Sequence, residues 1–107
     1  MKKLVLTLAL SGVIGSVYAA PETYNIDAGH TAARFEYNHM GYSNQQHRFD
    51  KTSGKIVLDR AAKTGSVDVT IDTKSVNTGY ALFNEHIQAA DYFNTEKYPT
   101  ITFKSTG

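Results

Sequence analysis

Cysteine is absent from the 107 residues. That excludes a disulfide framework, a thiol nucleophile, an iron–sulfur cluster and the lipid-bearing cysteine of a lipoprotein, although an exported chain would be free to use disulfides. Stability must therefore come from packing. An excess of one charge is also missing, since 11 basic residues stand against 10 acidic ones for a net charge of +1. Such a balance gives no reason to expect nucleic acid as a partner. The sequence has no basic amphipathic helix and no lysine cluster to hold it on an anionic bilayer, so no stable membrane anchor is expected. Internal repeats, low-complexity tracts and linkers are lacking too.

What is present begins with Met1, Lys2 and Lys3, a largely apolar run from Leu4 to Ile14, and the small-residue pattern Val17-Tyr18-Ala19. This order is that of a secretory signal peptide. The run is too short to cross about 30 Å of hydrocarbon as a stable helix, and no stop-transfer segment follows it. Cleavage after Ala19 is favoured, because cutting one residue later would put Tyr18 third from the cut and Pro21 at the new terminus. Without Lys2 and Lys3, nine basic residues face the 10 acidic ones, so the mature charge is −1. The expected compartment is the periplasm. Residues 20–107 then form one small domain, at a size where buried area barely offsets chain entropy.

Within that domain Val67, Val69 and Ile71 alternate strictly with polar residues in Ser66-Val67-Asp68-Val69-Thr70-Ile71-Asp72, which predicts a half-buried strand. Ala33-Arg34-Phe35-Glu36-Tyr37 and Thr100-Ile101-Thr102-Phe103-Lys104 alternate in the same way, and Ile56 and Leu58 share a face in Lys55-Ile56-Val57-Leu58-Asp59. The stretch from Arg60 to Gly65 joins two of these strands as a hairpin, with Gly65 suited to a turn residue of positive φ. A shorter strand around Tyr24 and Ile26 makes five in all. Between the fourth and fifth, residues 81–90 favour a short helix, with Leu82, Phe83, His86 and Ile87 on one face and Asn77 or Thr78 near its start. Antiparallel strands with one dry face must close on themselves or be covered, and one helix of about two turns cannot cover five strands. The expected fold is all-β: an antiparallel barrel of about eight strands with a short helix, its C-terminal strands lying beyond Gly107.

Several segments, taken in order, resemble the YceI family. They are Asp27-Ala28-Gly29-His30-Thr31, Phe35 followed by His39-Met40-Gly41-Tyr42-Ser43, Phe49 with Gly54, Val76-Asn77-Thr78, the run from His86 to Asn94, and Lys97-Tyr98-Pro99-Thr100-Ile101-Thr102-Phe103. The resemblance implies a lipocalin-like barrel whose lumen holds a polyisoprenoid or isoprenoid-quinone-like lipid, in soluble, often periplasmic proteins with no established catalytic activity, and a chain longer than this one. The sequence departs from the family pattern at three places. His47 stands where the family has a glycine ahead of Arg48-Phe49, which would alter access to the lumen. Phe83 and Asn84 replace a charged pair before the helical histidine, and Ala89 replaces a serine after it, so no headgroup contact is carried over from those positions.

Phe35, Tyr37, Ile56, Leu58, Val67, Val69, Ile71, Ile101 and Phe103 make the apolar strand faces. Such faces either fill a small barrel or line a cavity, and periodicity does not separate the two. The resemblance implies the cavity, with His39, Phe49, His86, Ile87 and Phe93 added to its lining. A prenyl chain gains on the order of 0.8 kcal/mol per buried methylene, so it needs no charged anchor. No other cofactor is expected.

Two alternatives use other features. His30, His39 and His86 could converge on a metal ion, but none of the four histidines sits in His-x-His or His-x-x-x-His register. His39 shares strand parity with Phe35 and Tyr37, and it and His86 read as hydrogen-bonding residues near the barrel mouth. Exposed edge strands could instead pair with a second chain, including a copy of this one as a homodimer. Ser43, Ser53 and Ser66 lack any nucleophile context, and Asp68 and Asp72 alternate with apolar residues as members of a solvated face, so no enzyme is expected.

Overall fold

Each alternating segment has one dry face to bury, and pairing the segments antiparallel puts those faces on the same side. The structure is a computed structural model describing residues 20–107; the signal peptide expected at residues 1–19 lies outside the described residues. The elements are β1 (Glu22–Asn25), β2 (Ala33–His39), β3 (Ser43–Phe49), β4 (Thr52–Asp59), β5 (Thr64–Asp72), β6 (Val76–Asn77), helix α1 (Ala81–Ile87) and β7 (Thr100–Lys104). They form a four-stranded sheet in the order β1-β4-β5-β7 and a three-stranded sheet in the order β2-β3-β6, antiparallel throughout. The chain is thus mostly β with one short helix, as alternation required. Over the described residues the two sheets are not closed into a barrel.

Two strands exceed the expected five. Strand β3 was missed because Phe49 is the only apolar residue in Ser43-Asn44-Gln45-Gln46-His47-Arg48-Phe49. Its turn specifies it instead. Met40 and Gly41 both have positive φ, 53° and 79°, and the Tyr42 N–H donates to the His39 carbonyl at 2.9 Å. That is the geometry of a tight hairpin turn whose twist suits antiparallel strands. The Asn38 side chain steadies it by accepting from the Gly41 N–H at 2.7 Å. Strand β6 is only two residues long and pairs Val76 with Phe49.

The β4–β5 hairpin forms as expected, but its left-handed residue is Lys63, with φ 55°, rather than Gly65. Asp59 explains the difference. Its carboxylate accepts from the Ala62 N–H at 2.9 Å, which fixes a turn over residues 59–62 and leaves the next residue to reverse the chain. Gly65 lies within β5 opposite Leu58. Helix α1 also ends earlier than expected, so Ala89 and Ala90 fall in the turns that follow it.

The chain crosses between the sheets four times, and two of these crossings, β3 to β4 and β5 to β6, form adjoining corners. At the first, the Asp50 and Lys51 N–H groups donate to the Ser75 carbonyl and hydroxyl at 2.9 and 3.0 Å. At the second, Asp72 caps a single 3-10 turn, Thr73–Ser75, by accepting from the Lys74 N–H at 3.0 Å. The buried core stands beside these corners. It consists of Phe49, Val76 and Ile87, with Ala33, Phe35, Ile71, Phe83 and Phe93 packed on it.

Gly54, in the middle of β4 opposite Val69, has φ 147°, and a Cβ there would lie 2.1 Å from the Asp68 carbonyl oxygen. Gly54→Ala is therefore expected to lower unfolding free energy by about 3 kcal/mol or more, since a backbone contact cannot move aside as a side chain can. Gly41→Ala, which meets no atom within 4 Å, is expected to cost only about 1–2 kcal/mol for the left-handed conformation. Urea denaturation of the two variants beside the parent chain measures both.

Candidate functional site

The dry face of the three-stranded sheet is built from in-register pairs: Ala33 with Phe49, Phe35 with His47, and Tyr37 with Gln45. Its wet face carries Glu36 bonded to Gln46 at 2.7 Å and Asn38 bonded to Asn44 at 3.0 Å. Separation of the two faces is clean. On the dry side the Phe35, Phe49 and Phe93 rings pack with centroids 5.4 to 5.7 Å apart, within the range of favourable aromatic contact.

Helix α1 stands over one end of this face. Its start is organised by Asn84, whose side-chain oxygen accepts from both the N–H and the hydroxyl of Thr78, at 2.7 and 2.6 Å. Thr78 therefore lies at the helix start as expected, although Tyr80 occupies the capping position and makes no side-chain bond there. Ile87 is buried against the sheet. After the helix the chain folds back, with the Phe93 N–H donating to the Ile87 carbonyl at 3.0 Å and the Thr95 hydroxyl donating to the Gln88 side chain at 3.1 Å. This return places Phe93 on the core and Tyr92 edge-on to His86, centroids 5.2 Å apart.

Between helix, return segment and sheet lies a concavity of about 1010 Å³. Phe35, Tyr37, His39, His86, Ile87 and Phe93, all expected as lining, border it. So do Met40, Gln45, Tyr80, Leu82, Phe83 and Tyr92, which had not been counted as site residues. For Leu82 and Phe83 the signal was present, since both belong to the helix face that also carries His86 and Ile87. Tyr80 and Tyr92 flank the helix, and Met40 sits in the β2–β3 turn, so their sequence positions carry no periodicity to expose them. No Asp, Glu, Lys or Arg lines the concavity among the described residues.

Of the other expected lining residues, Phe49 lies underneath as core. Ile56, Leu58, Val67, Val69, Ile71, Ile101 and Phe103 lie on the four-stranded sheet, where the register Ile56 with Val67, Val69 with Phe103 and Ile71 with Ile101 puts them on one face. Ile71 reaches the shared core. Ile56, Ile101 and Phe103 remain exposed, Phe103 by 59 %. Alternation had grouped the residues that share a strand face, but it carries no information on which strands share a sheet.

The four histidines are dispersed among different roles. His30 pairs with Asp27 at 2.7 Å on an exposed turn, away from the concavity that His39 and His86 border. Among the described residues no group of three His, Asp or Glu side chains is placed to hold a metal ion. His47 is buried, its ring set among those of Phe35, Tyr37 and Phe83 at 5.4 to 5.6 Å. Its Nε2 is hydrogen bonded to the Tyr37 hydroxyl at 3.0 Å, and its Nδ1 is buried without a partner. An unsatisfied buried polar atom costs about 1–3 kcal/mol, so this arrangement is not what packing alone would select.

A sequence profile described as a YceI-like domain matches residues 24–107. The chain belongs to the YceI-like family. It is 39% identical over 110 residues to a UPF0312 protein of Vibrio cholerae, covering 99% of this chain and 58% of that relative. Protein YceI of Escherichia coli is 36% identical over 110 residues, with the same coverage of 99% and 58%. The chain therefore spans somewhat more than half the length of these curated relatives. Among solved structures, a polyisoprenoid binding domain from Saccharophagus degradans implicated in plant cell wall breakdown is similar at a TM-score of 0.45 and 25% identity, over 78% of this chain and 39% of that one.

Phe49, 5 % exposed, touches both Phe35 and Phe93 and anchors the floor of the concavity. Phe49→Ala is expected to cost about 3–5 kcal/mol. Tyr42→Ala, at a residue 90 % exposed, should stay within about 0.5 kcal/mol of the parent. Thermal and urea unfolding of the two variants provide the comparison.

Proposed function

We propose that this YceI-family chain binds an apolar, isoprenoid-like lipid in the concavity between α1 and the three-stranded sheet, as a carrier or binding protein rather than an enzyme. The observation that carries this reading is the lining itself, mostly aromatic and aliphatic side chains with Gln45, His39 and His86 and, among the described residues, no Asp, Glu, Lys or Arg, around about 1010 Å³. That volume lies at the top of the roughly 300–1,000 Å³ usual for small-molecule sites. A long flexible hydrocarbon gains free energy from each methylene it buries, and shape with dryness suffices to hold it. The dry face of the four-stranded sheet, with Ile56, Leu58, Val67, Val69, Ile101 and Phe103, is the further apolar surface such a chain would contact on this reading. The site we assign therefore comprises Phe35, Tyr37, His39, His86, Ile87 and Phe93, together with Leu82 and Phe83. Export to the periplasm through the first 19 residues belongs to the same reading, and the mature chain would begin at Ala20.

Organic-solvent extraction of the purified full chain followed by mass spectrometry is expected to release an isoprenoid lipid. An extract without lipid, together with no binding of added isoprenoid, would overturn the reading. Leu82, on the helix and 63 % exposed, borders the concavity without belonging to the buried core. Leu82→Asp should weaken isoprenoid binding roughly ten-fold or more by placing a carboxylate against the apolar chain, while thermal stability stays within about 0.5 kcal/mol. Cell fractionation with N-terminal sequencing checks the compartment and the expected Ala20 start.

A further inference from the structure

His47 and Tyr37 form the polar feature that an apolar lining does not explain. His47 projects from β3 in register with Phe35 and is 7 % exposed. One ring nitrogen, Nε2, meets the Tyr37 hydroxyl at 3.0 Å, and the other, Nδ1, is buried with no partner. A neutral imidazole carries one proton, so one nitrogen donates and the other accepts. A proton on Nδ1 would leave a buried N–H donor orphaned, the rarest kind of unpaired group in folded proteins, whereas an under-used acceptor is better tolerated. The favoured tautomer therefore has its proton on Nε2, and that N–H donates to the Tyr37 oxygen. The hydroxyl proton of Tyr37 is then not consumed by His47.

Tyr37 borders the concavity. Its cross-strand neighbour Gln45 turns its amide to the Ser43 hydroxyl at 2.9 Å, and among the described residues Tyr37 has no hydrogen-bond partner other than His47. We infer that Tyr37 is a hydrogen-bond donor, oriented by His47, that recognises an uncharged oxygen on the bound lipid. The ligand class is then an isoprenoid with an oxygen acceptor such as a ketone or alcohol, in preference to a pure hydrocarbon. The inference rests on the concavity being the lipid site, and it adds a rule of selectivity to that reading. His47 is a positioning residue in this scheme, acting through Tyr37.

Farnesylacetone, an isoprenoid ketone whose oxygen can only accept, and the hydrocarbon of the same skeleton make a matched pair of probes for the full chain. The parent protein is expected to bind the ketone about ten-fold more tightly than the hydrocarbon. In Tyr37→Phe that ratio should fall to near one. In His47→Phe it should fall as well, and in His47→Gln it should be restored, because a glutamine amide N–H can reach the place of Nε2. Nitrogen-15 NMR of the His47 ring should show the proton on Nε2, a readout that does not depend on any variant folding. A proton found on Nδ1, or a ketone preference that survives in Tyr37→Phe, would overturn the inference. Equal binding of both probes by the parent would overturn it while leaving the lipid site standing, whereas binding of neither would overturn both.

Discussion

The contact of Phe49, Val76 and Ile87 holds the molecule's parts in their places. Each residue comes from a different element, β3, β6 and α1, and each is 5 % exposed. Burying a large apolar side chain is worth about 1.5–3 kcal/mol, so the three together match the whole net stability of a small domain. Helix α1 depends on them most. Seven residues are far too few for a helix to persist alone in water, so its presence is a consequence of Ile87 packing on the sheet. The concavity depends on the helix in turn, because α1 and the segment returning from it form one of its walls.

Without disulfides, the connections that hold this core are polar and local. Thr73, 3 % exposed, donates its hydroxyl to the Tyr98 carbonyl at 2.6 Å, while its N–H donates to the Pro99 carbonyl at 3.0 Å. These two bonds tie the start of β7 to the sheet corner. Thr95, 2 % exposed, secures the return segment to Gln88 through its backbone and its hydroxyl. Each such bond contributes about 1 kcal/mol net, but the larger effect is the penalty for leaving a buried hydroxyl unpaired. The segment returning from α1 is thereby tied to the helix beside the concavity, and on the proposed reading a wall held in shape beforehand lowers the entropic cost of binding.

Sequence periodicity grouped the residues that share a strand face, Phe35 and Tyr37 on β2 and Val67, Val69 and Ile71 on β5. It failed where polarity hid a strand. Six residues of β3 are polar, and the turn at Met40-Gly41 and the pairing with β2 and β6 define it. Periodicity is also a property of one segment, so the division of the strands between two sheets was out of its reach. The site was half legible for the same reason. Strand and helix positions with regular spacing were found, while Tyr80, Tyr92 and Met40 come from turns, where no periodicity marks the side chains that face the site. His47 was noticed as a departure from the family pattern, and the structure gives that departure content: the side chain meets the Tyr37 hydroxyl and a ring of aromatics.

The two dry faces differ in how far they are covered, and that difference bears on function. On the three-stranded sheet the apolar side chains pack on one another and on α1, and the space left over is a defined concavity. On the four-stranded sheet only Ile71 joins the core, while Tyr24, Ile56, Ile101 and Phe103 stay more than a third exposed on one continuous face. An apolar face of that extent is unfavourable in water and usually marks a surface that meets something else. Its opposite face is ordinary, with Asp68 and Lys104 paired at 3.8 Å across β5 and β7. On the strands, charge is kept to the outer faces apart from Glu22, which shares a face with Tyr24 and Leu58, while the three-stranded sheet turns Tyr37, His39, Gln45 and His47 toward its apolar side. On the proposed reading, that arrangement keeps water from a greasy chain while leaving the Tyr37 hydroxyl to meet one oxygen upon it.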